Sequence, residues 1–287
     1  IQPQALEELW FQRGTACNLA CSFCLEGSRP GDDRLQLLRL DDAIPFVDEA
    51  FDLGVKQFSF TGGEPFINKD IIGILDYALM HRPCLVLTNA TEPLLKRLQQ
   101  LESLRERPHA LSFRISLDYP DAARHDAGRG KGMFASALEG LRKLHDMGFR
   151  VSVANQLLSG IASGVATARF AGVFRAAGLP EDLPPIEFPE FHPPGARVTP
   201  PQITEHCMTA FQTEETRRSF MCAFSKMVAK SGGRMRVYAC TLVDDDPDYI
   251  LGETLTEALQ TPVSMKHHRC HSCFKYGATC SEMKTGK

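Results

Sequence analysis

Between residues 8 and 195, short apolar runs alternate six times with stretches of helical period, which restricts this part of the chain to parallel βα units. Leu9-Trp10-Phe11-Gln12 and the runs 56–60, 84–88, 111–117, 149–154 and 185–188 read as strands. Helices are expected over 41–53, with Asp42 as N-cap, and over 70–81, 92–104, 133–147 and 164–177. In the second of these, Ile71, Ile74, Leu75 and Ala78 recur at i, i+3, i+4 and i+7, the spacing of one buried face. Gly148 reads as the stop of the helix over 133–147. The expected class is α/β.

A cysteine triplet follows the first strand: Cys17, Cys21 and Cys24, spaced C-x3-C-x2-C. A structural zinc site needs four protein ligands. The next cysteine, Cys84, lies inside an apolar run and reads as a small core hydrophobe. Disulfide frameworks belong to short secreted chains, whereas this chain has 287 residues and 43% hydrophobic content. Three thiolates suit an iron–sulfur cubane with one iron left open to an outside ligand.

The triplet, with Phe23 before its last cysteine and Thr61-Gly62-Gly63-Glu64-Pro65 further on, resembles the radical S-adenosylmethionine (radical SAM) superfamily. The resemblance implies that Cys17, Cys21 and Cys24 bind a [4Fe–4S] cluster. The methionine amine and carboxylate of S-adenosyl-L-methionine (SAM) would chelate its fourth iron, with Phe23 near the adenine. Gly62 and Gly63 allow close approach of backbone to ligand, and with Glu64 they are implied to bind the SAM amino group. Ser116 and Asp118 look like the family's ribose-binding position. The stretch from His125 to Gly130 resembles a segment whose Arg, here Arg129, pairs with the SAM carboxylate, a task suited to a planar guanidinium. Asn155 is a further cofactor candidate, with a turn-forming Asn as its other reading. The implied fold is a partial (β/α)6 TIM-like barrel over residues 1–200, with its chemistry at the C-terminal ends of the strands.

Prolines 184, 185, 189, 193, 194, 200 and 201 mark a boundary. Beyond it lie Cys207, Cys222, Cys240, Cys270, Cys273 and Cys280. Cys222, Gly232-Gly233, Cys240 and the later Cys270-x2-Cys273 resemble the auxiliary-cluster domain called twitch, a shortened SPASM domain, as in inosamine-oxidising dehydrogenases. That resemblance implies a small domain over 201–287 holding a second [4Fe–4S] cluster on Cys222, Cys240, Cys270 and Cys273, with Cys280 as an alternative ligand. The interval from Gly233 to Cys240 is longer than the family's usual one, and six cysteines are too few for two complete auxiliary clusters. A zinc ribbon would satisfy the same spacing.

A formal charge of −3 supplies no electrostatic reason to expect a nucleic-acid partner. No run reaches the length of a membrane helix, and no signal peptide is evident. The chain begins at Ile1, so the natural start is expected to be missing. Ten cysteines point to metal sites in a reducing compartment, with the cytoplasm as default. The family resemblance implies an oxidoreductase that cleaves SAM to a 5′-deoxyadenosyl radical and abstracts hydrogen from a small polar metabolite. An auxiliary cluster would take the remaining electron, and a flavodoxin or ferredoxin would supply the first. The alternative is a peptide- or protein-modifying enzyme; a mere cluster carrier has no use for a SAM pocket. Glu187, Glu190, His192 and Cys207 are the acid–base or donor candidates, with loop capping the other reading of Glu190 and His192. The acidic run 244–248 reads as a solvated turn.

Overall fold

The computed structural model describes residues 1–157, 163–183, 185–189, 194, 196–199, 201–277 and 281. Strands β1 (Glu8–Gln12), β2 (Gln57–Thr61), β3 (Cys84–Thr88), β4 (Leu111–Ser116), β5 (Arg150–Gln156) and β6 (Pro185–Phe188) lie parallel and in chain order. Between them run α1 (Leu40–Asp52), α2 (Ile71–Leu79), α3 (Glu92–Leu95), α4 (Leu98–Glu102), α5 (Ala122–Arg129), α6 (Met133–Asp146) and α7 (Ser163–Ala176). This is the parallel α/β arrangement of a partial barrel. The main core is the layer between strands and helices, where Phe11, Phe58, Phe60, Val86, Phe113 and Ile115 meet Val47, Ile74, Leu75 and Leu141.

After the proline-rich stretch come α8 (Glu205–Ala210), α9 (Glu214–Arg218), α10 (Met221–Phe224), β7 (Ser225–Ser231), β8 (Arg234–Tyr238), β9 (Ile250–Gly252), α11 (Leu255–Gln260) and α12 (Cys270–Tyr276). This segment continues the barrel's sheet. Strand β7 pairs in parallel with the free edge of β1, from Glu8↔Ser225 to Gln12↔Ala229, and β8 and β9 follow antiparallel. The nine strands run in the order β6-β5-β4-β3-β2-β1-β7-β8-β9.

Two local expectations are corrected, and one element is added. Helix α1 starts before Asp42; Arg39 is the N-cap, and Asp42 at the third position accepts its backbone N–H (2.9 Å) while pairing with Lys230 (2.7 Å). The helix expected over 92–104 is interrupted at Arg97 (φ −106°, ψ 0°), giving α3, α4 and a 3-10 turn at Ser103–Glu106. Helix α5 was not foreseen because His125 is its one buried residue, so it carries no apolar period.

Gly140 of α6 packs on the β3–α3 turn, where Ala90 has a left-handed φ of 55°. A Cβ at Gly140 would lie 2.1 Å from the Ala90 carbonyl oxygen, a backbone atom that cannot swing aside. Alanine gains about 1 kcal/mol of helix propensity over glycine, but overpacking of this kind costs about 1–3 kcal/mol. Gly140→Ala is therefore expected to lower the urea midpoint at unchanged m-value; an equal or higher midpoint would contradict the packing described here.

Candidate active site

Because β1 to β6 are parallel, their C-terminal ends open on one rim, and a cavity of ≈ 1050 Å³, including its open mouth, lies there. The loop after β1 contributes Cys17, Cys21, Phe23 and Cys24, β2 leads into Gly62 and Gly63, and β3 into Thr88 and Asn89. Ser116 and Asp118 come from the end of β4, Asn155 and Gln156 from β5, and Phe188 and Pro189 from β6; Arg129 reaches in from α5.

The triplet loop is docked by close backbone approach. Gly63 donates its N–H to the Gly14 carbonyl (2.9 Å), and a Cβ there would lie 2.1 Å from the Ala16 oxygen. Phe23 packs on Gly128, where a Cβ would come within 2.2 Å of its ring, and on the Arg129 guanidinium at 5.5 Å. Backbone N–H groups point at two sulfurs: Leu19 donates to Cys17 (3.4 Å) and Ser28 to Cys24 (3.3 Å). Burial pushes the Cys17 thiol up to about 12 and raises that of Cys21. As free thiols they are inert nucleophiles, whereas a bound metal deprotonates a coordinating thiol outright. The donor set therefore fits an iron–sulfur cluster.

Glu64 stands behind the wall rather than on it. Its carboxylate accepts from the backbone N–H of Phe66 (3.1 Å) and Asn89 (2.9 Å) and from the Thr88 hydroxyl (2.8 Å). Burial nevertheless pushes its pKa up to about 7. Arg129 clasps Asp118 with two donors, Nη2 to Oδ1 at 2.9 Å and Nε to Oδ2, with His125 Nδ1 3.5 Å from the same carboxylate. Asn155 presents an unpartnered, buried Oδ1 in a residue that lines the cavity. An open acceptor of that kind fits a polar ligand.

Cys222 on α10, Cys240 after β8, and Cys270 and Cys273 one turn apart on α12 line a second cavity of ≈ 340 Å³, otherwise walled by groups such as Met221, Leu242, Val243 and Val263. The thiols of Cys222, Cys270 and Cys273 all act on that of Cys240, which burial raises far above the usual range. Among the described residues no three cysteine sulfurs lie within 4.8 Å of one another. Tetrahedral zinc, with Zn–S of about 2.3 Å, would need sulfurs about 3.8 Å apart.

Buried charge joins the two regions. Arg269, beside Cys270, donates to the carbonyls of Leu25 (2.7 Å) and Leu242 (3.1 Å). Arg34 donates to Asp244 Oδ2 (2.7 Å) and to Glu26 Oε2 (3.3 Å), and Asp245 accepts from His267 Nε2 at 3.1 Å. The head of the acidic run is thus an internal ion-pair network, correcting the expected solvated turn. Burial first, then Asp244, raises the Glu26 carboxyl well above its ordinary range.

The sequence model of the Radical SAM superfamily matches residues 11–160. This chain belongs to the radical SAM superfamily. As a radical SAM enzyme it binds SAM and a SAM-binding [4Fe–4S] cluster. It is 35% identical over 146 residues to the antilisterial bacteriocin subtilosin biosynthesis protein AlbA of Bacillus subtilis, an alignment covering 50% of this chain and 32% of AlbA. In fold it is similar to Streptococcus suis SuiB, with a TM-score of 0.66 at 12% identity over 90% of this chain and 67% of SuiB. SuiB is also similar as solved with its precursor peptide SuiA, with a TM-score of 0.61. BtrN in complex with AdoMet and 2-DOIA matches with a TM-score of 0.51 at 14% identity, covering 96% of this chain and 87% of BtrN. No described helix is long and apolar enough to cross a membrane.

Of the residues proposed from sequence, the rim cavity gathers Cys17, Cys21, Phe23, Cys24, Gly62, Gly63, Ser116, Asp118, Arg129 and Asn155. Glu64 and Cys207 do not line it; Cys207 is partly exposed on α8, where the Thr204 hydroxyl lowers its pKa. Glu187 is half-buried on β6, and Glu190, His192 and Cys280 lie outside the described residues. Sequence reasoning missed Asn89, Gln156 and Glu26. The first two sit where β3 and β5 end, so applying the strand-end rule to every strand would have found them.

Glu64→Gln would turn one acceptor into a donor facing a buried N–H or hydroxyl, and is expected to lower unfolding free energy by about 1–3 kcal/mol. With the folded pKa near 7 and the ordinary value at 4.5, the proton-linked stabilisation is full below about pH 4.5 and lost as pH rises through about 7. The stability advantage of the wild type over the variant should shrink across that window. Urea titrations of metal-free protein on both sides of it provide the check.

Proposed function

We propose that this radical SAM enzyme is an oxidoreductase in which Cys17, Cys21 and Cys24 hold the SAM-binding cluster and Cys222, Cys240, Cys270 and Cys273 hold an auxiliary [4Fe–4S] cluster. Residues 201–287 would be the twitch-type unit and residues 1–200 the barrel. The observation carrying this reading is the meeting of four cysteines from three separate elements in one small apolar cavity, on the same sheet as the rim cavity. A [4Fe–4S] cluster held by Cys17, Cys21 and Cys24 would supply the one-electron reduction of SAM on which hydrogen-atom abstraction from substrate depends.

The chain's own residues bind, orient and exclude. Asn155 Oδ1 and Ser116 offer hydrogen-bond partners to cosubstrate, the backbone of Gly62 and Gly63 admits it closely, and Phe23 supported by Arg129 provides a flat face. Leu25, Leu87 and Phe188 keep water from the reacting centre. A small polar metabolite is the substrate class we favour, supported by the likeness to BtrN across nearly the full length of both chains. A peptide substrate is the second reading, supported by the sequence relation to AlbA and the likeness to SuiB. A flavodoxin or ferredoxin fits the need for a one-electron donor. Flanking genes separate the substrate classes: a short precursor-peptide frame favours the second, a sugar-pathway cluster the first.

Anaerobically reconstituted enzyme should hold about eight irons per chain, the content of two cubanes. Replacing Cys17, Cys21 and Cys24 together by Ala should remove about half and abolish 5′-deoxyadenosine formation. Cys270→Ala or Cys273→Ala should lose the other half yet still release 5′-deoxyadenosine, without oxidised product. Zinc at the second set, found by elemental analysis of anaerobically purified protein, would refute the auxiliary-cluster reading.

A further inference from the structure

Lys226 on β7 is fully buried. Its ammonium donates to the carbonyl oxygens of Cys222 (2.8 Å) and Ser225 (3.0 Å). Among the described residues no carboxylate pairs with it, and the ionisable groups acting on it are the thiols of Cys222 and Cys240. A buried cation without an anion is strongly unfavourable. As neutral thiols, the free cysteines Cys222 and Cys240 leave the ammonium with nothing negative beside it. Thiolate ligands of a bound cluster would supply that missing negative charge.

We propose that Lys226 is the counter-cation of the four-cysteine cavity and raises the reduction potential of the cluster bound there; this rests on the auxiliary-cluster reading above. A cluster ligated by four thiolates is anionic, and one-electron reduction adds another negative charge. A fixed cation in a low-dielectric wall favours the more negative state, and net charge and hydrogen bonding are the protein's levers on such potentials. A raised potential suits an acceptor that must take an electron from a substrate radical. The competing role is mechanical: the bond to the Cys222 carbonyl also caps the short helix α10.

The test compares reconstituted wild-type, Lys226→Met and Lys226→Arg enzymes by iron content and by reductive titration followed by electron paramagnetic resonance. At a given poise the reduced-to-oxidised ratio of the auxiliary cluster should fall on the order of ten-fold in Lys226→Met, the scale of one charge at close range. It should stay near wild type in Lys226→Arg, and the SAM-perturbed signal of the first cluster should be unmoved in both. A loaded Lys226→Met enzyme with an unchanged ratio, or an Arg variant shifted as far as the Met variant, overturns the proposal in favour of the cap. If Met prevents loading and Arg permits it, the charge requirement is upheld; if neither loads, the fit of lysine and not its charge is at work, and the proposal falls. Failure of the underlying reading is seen separately, as wild-type enzyme with about four irons or with zinc.

Discussion

Strand β1 is hydrogen-bonded along both edges, to β2 on one side and β7 on the other, and the remaining geometry depends on that placement. Its five residues are all buried, as expected of a parallel strand covered on both faces. The triplet loop leaves its C-terminal end. Strand β7, which begins three residues after Cys222 and leads through β8 to Cys240, is locked to the same register, so the two cysteine sets share one rigid strand as their reference.

The second tie is electrostatic. Arg34, Arg269, Glu26, Asp244 and Asp245 bring charge into the space between the triplet loop and the C-terminal loops, with Arg269 spanning from Cys270's neighbour to the Leu25 carbonyl. Burying such groups is favourable only with partners in good geometry. Here each arginine meets carbonyl as well as carboxylate oxygen, so the network resists sliding of one loop past the other. Groups held this firmly suit a site whose reacting partners need little freedom.

Around the rim cavity, the division of labour differs from what residue types alone suggest. Glu64 braces the ends of β2 and β3 through three accepted hydrogen bonds. Arg129 and Asp118 engage each other, holding the guanidinium beside Phe23. Open hydrogen-bonding capacity resides instead in Ser28 Oγ and Asn155 Oδ1, the latter on a residue whose sequence context is indistinguishable from that of a turn.

The sequence by itself determined the parallel βα class, the strand-end position of the triplet and Gly62-Gly63, and the family, because periodicity and motif spacing are local properties of the chain. Tertiary structure alone decided that β7 joins β1, since strand pairing across more than two hundred residues leaves no local mark. It also decided that Asp244 and Asp245 are buried, because an acidic run reads as solvated until its arginine partners are in place. The gathering of Cys222, Cys240, Cys270 and Cys273 was suggested by resemblance. Their common apolar cavity, with a buried lysine beside it, required the fold, because burial is a property of packing that no single segment carries.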